Sequence, residues 1–331
     1  MSAAPRRLLD AANPVAEFWD AHRHEHEVAL PTSGTSGNPR TVVRTTHSWV
    51  DSFTTVSELA RLGSAARVWI PGPLTATMNL FAAAHAHWVG AARVASLAAA
   101  THAQLTPTAV RRLLDDGANL AGRTLIFAGD TLEAGLRIRA EEAGASVAHY
   151  YGAAELSFVA WGVDADSLRP FPGVDVELRA ADDPGAAATI WARSPFLALR
   201  TEGATGPLGR DQRGFATVGD RGRWNEDRLQ VIGRDEAVVT GGTTVLLADV
   251  EAALRPGLNG TVAVVGLPHP ELGAVVVAVL TDPADRDRAR LQAEDLGSAR
   301  PRRWVTLPDL PLTAAGKVDR RALAHQVGEL R

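Results

Sequence analysis

Two stretches near opposite ends of the chain hold residue types that handle anions. The first is Thr32-Ser33-Gly34-Thr35-Ser36-Gly37-Asn38-Pro39-Arg40. Glycines among hydroxyl residues let a loop bend until backbone N–H groups and hydroxyls converge on one anion. Arg40 adds a cation suited to phosphate oxygens. Taken alone, a Ser/Thr/Gly run also reads as a linker. Here Val28–Leu30 precede it and Thr41–Val43 follow it, as in a strand–loop–strand. No Gly-Lys-Ser/Thr follows, so it is not a Walker loop. The second stretch is Leu310-Pro311-Leu312-Thr313-Ala314-Ala315-Gly316-Lys317-Val318-Asp319-Arg320. Lys317 is the one lysine among 34 basic residues, either by chance or because a compact ammonium is wanted where a planar guanidinium will not serve.

The elements that must position these residues can be read from periodicity. Arg67–Ile70, Thr124–Phe127 and Ser146–His149 read as short buried strands, and Thr108–Leu114 (opened by Pro107) and Thr131–Ala143 read as helices between them. Such alternation implies an α/β fold with a mostly parallel sheet. From Val174 to Ile232 the pattern changes to Val174–Leu178, Thr189–Ala192, Gly214–Thr217 and Leu229–Ile232, separated by turns at 182–185 and 225–227, which reads as an antiparallel β subdomain. A further α+β unit begins near Asp235. It holds a helix at Leu247–Leu254, strands at Thr261–Gly266 and Ala274–Leu280 with a turn at Pro268–His269–Pro270, an arginine-rich helix near 286–295, and a strand at Trp304–Leu307. The expected domains are 1–234 and 235–331.

Composition narrows the function classes. With 331 residues, 46% apolar and 22% charged, the chain reads as an ordinary soluble globular protein. A net charge of -4 argues against a globally basic nucleic-acid binder. The absence of cysteine excludes disulfides, thiolate metal sites and cysteine nucleophiles, and fits the reducing cytosol. No signal-peptide-like run follows Arg6 and Arg7, and the longest apolar run, Ala274–Leu280, is too short to span a membrane. The expectation is a cytoplasmic protein without membrane insertion. His22, His24 and His26 suggest a metal cluster, but Glu17–Glu27 reads as a polar helix, on which alternate residues do not share a face. His85 and His87, in an Ala-rich helix with Trp88, read as packed or surface histidines. No Gly-x-Ser-x-Gly elbow supports a hydrolase.

The two anion-handling stretches, with three motifs between them, resemble the AMP-forming adenylate ligases: acyl-CoA synthetases, adenylation domains and luciferases. Tyr150-Tyr151-Gly152-Ala153-Ala154-Glu155 resembles that family's adenine- and magnesium-binding motif. Gly219-Asp220-Arg221-Gly222 resembles its ribose motif, and Gly233-Arg234-Asp235-Glu236 with Gly241-Gly242 resembles its hinge and following loop. The five motifs run in family order over residues 32–320.

The resemblance implies specific roles. Thr32, Ser33, Gly34, Thr35, Ser36, Gly37 and Arg40 would hold ATP phosphates, and Glu155 would bind Mg²⁺. Gly129, Asp130, His149, Tyr150 and Tyr151 would surround adenine. Asp220 would receive the ribose hydroxyls with Arg234 assisting. Lys317 would neutralise charge between the acid and the α-phosphate. A small mobile C-terminal domain, hinged at Asp235, would deliver Lys317 and then turn its Gly241–Gly242 loop toward coenzyme A. The acyl pocket would draw on Leu74, Thr75, Met78, Asn79, Phe127, Ala153 and Ser157, which suits an apolar or aromatic acid. Three departures stand out. The glycine-rich run begins 31 residues into the chain, as in compact bacterial ligases of the o-succinylbenzoate–CoA type. Arg40 replaces the loop's usual lysine. The family's aromatic-histidine gate is not evident in Pro71–Met78. The implied activity is ATP-dependent acid activation followed by transfer to coenzyme A. Transfer to a carrier protein or amine, a non-catalytic nucleotide-binding relative, and a homodimer stay open.

Overall fold

Five short segments stack as parallel strands, the inner ones largely buried and Ala92–Val94 exposed at the edge: Arg67–Trp69, Ala92–Val94, His102–Leu105, Thr124–Phe127 and Ser146–Ala153. Ser157–Gly162 and Arg169–Pro170 add antiparallel at one edge, giving seven strands. The sheet belongs to a computed structural model that describes residues 4–32, 40–128, 131–179, 187–203, 208–234, 237–313 and 316–330, without the side chains of Thr32, Arg234 and Thr244.

Alternation along each strand sends neighbours to opposite faces. Leu125 and Phe127 join Ala103, Leu105, Val110 and Leu136 beneath the helices Pro107–Asp115 and Ala134–Glu142. Ile126, by contrast, packs with Val68, Ala86 and Ala148, on the face of the helices His47–Ala60 and Thr77–Val89. A local signal starts the helix Pro107–Asp115. Thr106 Oγ1 accepts from Ala109 N at 3.3 Å and Pro107 takes the first turn.

The glycine-rich run is borne by a separate four-stranded sheet. Glu27–Thr32 pairs antiparallel with Arg40–Thr45, Thr32 opposite Arg40; Arg6–Arg7 and Arg200–Gly203 lie outside them. The expected strand–loop–strand therefore has both its strands, and the loop itself, 33–39, lies outside the described residues. The expected antiparallel region is a six-stranded sheet that includes Asp175–Arg179, Ala188–Arg193, Asp220–Asn225 and Arg228–Arg234. The turn expected at 182–185 lies outside the described residues.

The chain divides into two compact units. The first is Met1–Gly219 with Arg223–Gln230 and Ala314–Lys317; the second is Asp220–Gly222, Val231–Thr313 and Val318–Arg331. In the second, Val262–His269 and Gly273–Leu280 form the longest strand pair. Val264, Val276 and Ala278 pack with helix Leu247–Leu254, while Ala263, Val265, Val277 and Val279 pack with Leu323 and Val327 of helix Arg320–Glu329. Being covered on both faces explains why Gly273–Leu280 is continuously apolar although it pairs antiparallel with Val262–His269.

Two local expectations need correction. The helix expected over 17–27 is Pro14–Arg23: His24 caps it and Glu25 turns left-handed at φ 53°. The turn expected at Pro268–His269 begins later, because both residues stay in the strand, opposite Ala274 and Gly273. Val262–His269 ends that sheet's path, and an edge strand tolerates a proline's missing N–H. No helix among the described residues is long and apolar enough to cross a membrane.

Candidate functional site

In the parallel part of the main sheet, Arg67–Trp69 has Ala92–Val94 on one side and His102–Leu105 on the other. The strand order thus reverses beside the first strand, and such sheets bind ligands in the crevice beyond the strands' carboxyl ends. That end carries Ile70–Pro73, Thr106, Ala128 and the last residues of Ser146–Ala153. Gly129 and Asp130 follow Ala128 but lie outside the described residues.

Glu155 sits in the turn between Ser146–Ala153 and Ser157–Gly162 and is only 3% exposed. The turn is tight. The strand pairing shifts register at Tyr151/Gly152, and Ser157 adopts φ 59°, unusual for a residue with a side chain. A Cβ on Gly152 would stand 2.0 Å from the Ser157 carbonyl oxygen, so only glycine fits. Ala198 N donates to the Glu155 carbonyl at 2.8 Å. The Glu155 carboxylate lies 3.3 Å from Arg40 Nη2, yet its Oε1 completes no hydrogen bond among the described residues. The structure therefore joins two residues singled out from sequence, 115 positions apart. Beside them is one the sequence reading missed, Arg44, whose Nη1 donates to Ser157 Oγ at 2.9 Å.

His149, Tyr150 and Tyr151 alternate across their strand. His149 is buried, its Nδ1 completes no hydrogen bond among the described residues, and burial pulls its pKa down to about 4, so the ring is neutral. Tyr150 points the other way, with its ring 4.6 Å from Phe158 and 5.7 Å from Trp161, and burial pushes its phenol well up. Tyr151 is half-buried. On the Tyr150 side lies a cavity of about 20 Å³, lined by Phe81, His85, Gln104, Ile126, Tyr150 and Trp161 among others. None of the seven side chains expected around an acyl pocket lines it. Phe127 faces the opposite core, buried Asn79 donates to the Pro73 carbonyl at 3.0 Å, and Ser157 is held by Arg44. Leu74, Met78 and Ala153 are half-buried and Thr75 is exposed. Gln104 and Ile126 are register partners and Tyr150, two residues beyond Ile126's partner Ala148, shares their face; the apolar runs are too short for sequence to say which parity faces which layer.

Lys317 is exposed. Leu312 bridges Val318 across its turn, and Gly316 is left-handed at φ 77°. Within the first unit, a Cβ on Gly316 would meet Thr106 Cγ2 at 2.8 Å. In the second unit, Asp220 is buried, Arg221 Nη1 pairs with Asp249 at 3.1 Å, and Gly241 and Gly242 form a two-residue hairpin turn between Thr240 and Thr243. Their φ of 55° and 81° is the left-handed pair such turns need. The Arg234 side chain and Asp235 lie outside the description.

Among the described residues no group of three or more His, Asp or Glu side chains is arranged to hold a metal ion. His22 Nδ1 is 2.9 Å from Thr46 Oγ1, His24 Nδ1 is 2.9 Å from the Asp20 carbonyl, and His26 Nδ1 accepts from Arg6 Nε at 2.7 Å.

A family model described as AMP-binding enzyme matches residues 20–200, more than half of the chain. An uncharacterised acyl–CoA ligase of Bacillus subtilis, YhfT, is 28% identical over 87% of this chain and 66% of its own length. A 2-succinylbenzoate–CoA ligase of Salmonella typhimurium is 30% identical over 70% of this chain and 52% of its own. The chain thus spans between about half and two thirds of these relatives. ATP-bound MatB from Rhodopseudomonas palustris superposes with a TM-score of 0.75 at 20% identity, covering 92% of this chain and 68% of that one.

Proposed function

The chain belongs to the AMP-binding enzyme family, and on that premise we propose that it activates a carboxylic acid with ATP and passes the acyl group to coenzyme A. The observation that carries the reading is the buried Glu155 carboxylate. It stands beside Arg40 at the carboxyl end of the parallel sheet, and its Oε1, 3.3 Å from Arg40 Nη2, completes no hydrogen bond among the described residues. A hard oxygen of this kind suits Mg²⁺, which takes one or two carboxylates and fills its remaining positions with phosphate and water. When bound, the ion screens the charge that builds as the acid's carboxylate oxygen attacks the α-phosphorus and the bond to pyrophosphate breaks.

The chain's own residues do the rest. Thr32, the 33–37 run and Arg40 hold the β- and γ-phosphates, while His149, Tyr151, Gly129 and Asp130 flank adenine. His149, neutral at physiological pH, can donate or accept a hydrogen bond without adding charge. Asp220 receives the ribose hydroxyls with Arg234. Lys317 supplies the charge between the two reacting anions. The product, an acyl-adenylate, is then attacked at its acyl carbon by the thiol, and AMP leaves. A rotation about Asp235 that brings the Gly241–Gly242 turn to the thiol fits that second step. An apolar or aromatic acid is the substrate class this reading carries; the cavity beside Tyr150, of about 20 Å³, has room only for a water-sized group. The reaction belongs in the cytoplasm, where ATP and coenzyme A are supplied.

The test is pyrophosphate release across a library of acids, with and without coenzyme A. An acid-dependent signal followed by coenzyme A-dependent AMP release is the expected result. AMP release indifferent to coenzyme A would instead favour a carrier protein or amine as acceptor. Lys317→Ala should slow pyrophosphate release by about 10²–10³, the usual loss for a preorganised charge donor. An unchanged rate removes the lysine from the mechanism.

A further inference from the structure

Arg44 is 1% exposed, one of the largest fully buried side chains of the protein. Burying a cation is costly unless a carboxylate pairs with it, and its guanidinium forms no direct ion pair among the described residues. Nη1 donates to Ser157 Oγ at 2.9 Å, and Nη2 donates to the Phe196 carbonyl at 2.9 Å. The group lies 5.5 Å from the Trp49 ring centre, and Nε completes no hydrogen bond among the described residues. Burial pulls its pKa down to about 9, with Glu155 the acid that acts in the opposite direction, so it stays charged at neutral pH.

What Arg44 connects accounts for keeping it there. Its own strand, Arg40–Thr45, leaves the glycine-rich run and carries Arg40 against Glu155. Ser157 closes the strained turn that bears Glu155. Phe196 precedes by two residues Ala198, whose N–H holds the Glu155 carbonyl at 2.8 Å. One guanidinium thus ties three segments that are remote in sequence, Ser157 being 113 and Phe196 152 residues away. We propose that Arg44 is a positioning residue that locks the Glu155 turn to the strand leaving the glycine-rich run, and so sets the spacing of the carboxylate from the bound phosphates.

The inference rests on Glu155 as the magnesium carboxylate, and its test separates the two claims. ATP binding to the full-length chain is measured by calorimetry with saturating Mg²⁺ and again in chelator, for the wild type and for Arg44→Met, Arg44→Lys, Ser157→Ala and Glu155→Gln. Thermal melts accompany each. The ratio of the two affinities is the readout, because a role in folding alone does not change it. Arg44→Met should reduce that ratio at least tenfold. Arg44→Lys should recover little, since a single ammonium cannot reach both acceptors. Ser157→Ala, which removes one arm of the lock and leaves the buried charge in place, should show part of the loss and serves if Arg44→Met does not fold. KM for the acid should stay within about twofold in the folded variants while that for Mg·ATP rises. If Glu155→Gln abolishes the Mg²⁺ effect but folded Arg44→Met or Ser157→Ala keeps it, Arg44 does not position the site. If Glu155→Gln itself leaves the effect intact, the assignment of Glu155 fails and the inference goes with it.

Discussion

Replacing Arg320 with alanine should destabilise the second unit by about 3 kcal/mol, and the figure follows from its partner. The Glu251 side chain is 5% exposed. Its Oε1 accepts from Val264 N at 2.6 Å and from Arg320 Nη1 at 2.6 Å, and Oε2 accepts from Arg320 Nη2 at 2.7 Å. Arg320 Nη1 also donates to the Val264 carbonyl at 3.0 Å. Truncation leaves a buried carboxylate with the Val264 N–H and with Arg255, 3.8 Å from Oε2. Removing one partner of a buried pair costs roughly 3–5 kcal/mol, and the lower end applies because the Arg320 side chain is 31% exposed. About 3 kcal/mol is roughly a hundredfold in an opening equilibrium. Hydrogen exchange at the Val264 amide and along Arg320–Glu329 should accelerate by that factor. The double variant Glu251→Leu/Arg320→Met should recover most of the loss, since neither charge is then stranded. Lys317 lies three residues before Arg320, so Arg320→Ala should also lower pyrophosphate release. A loss under about 1 kcal/mol, or a double variant no better than the single, would refute the account of this pair as a buried clamp.

Two further outcomes follow from local geometry. Gly152→Ala puts a Cβ 2.0 Å from the Ser157 carbonyl oxygen, so urea denaturation should record a loss of about 1–3 kcal/mol and ATP titration a weaker complex; wild-type values in both would mean the turn yields freely. His85, packed against Phe53 and bonded to Ser57, has its pKa pulled by burial from 6.5 to about 4. The folded protein therefore resists protonation there. The stability this contributes is complete above pH 6.5 and is lost as pH falls toward 4, by up to about 3 kcal/mol. Denaturation at stepped pH should find His85→Gln less acid-sensitive than the wild type by a sizeable part of that amount; an identical acid slope would refute the assignment.

What the sequence disclosed was what is local. Thr124–Phe127 and Leu247–Leu254 have their observed bounds because an apolar run and a helical period with a proline beyond it need no distant partner. Ser146–His149 was too short, because Tyr150–Ala153 become strand only by pairing with Ser157–Trp161. Proline suggested a turn at Pro268, and only the strand's place at the sheet edge lets it continue. The site divides in the same way. Residue types singled out the run at 32–40 and the Lys317 segment, and the family resemblance pointed to the segments around Glu155 and Asp220. Arg44 looked like one more arginine among many, because its value lies in contacts more than 100 residues away. The cavity was hidden because the parity of short strands does not say which layer each side chain faces.

The small sheet that bears the glycine-rich run also sets an order of events during synthesis. Arg200 pairs with Val43, 157 residues earlier in the chain. At the usual pace of translation the intervening segment takes roughly 8–30 s to emerge. For that interval Arg40–Thr45 has Glu27–Thr32 on one side and a bare backbone edge on the other, open to wrong partners. The bare edge belongs to Arg40, Thr41, Val42, Val43, Arg44 and Thr45, a stretch whose two arginine charges discourage stray strand pairing until the proper neighbour arrives.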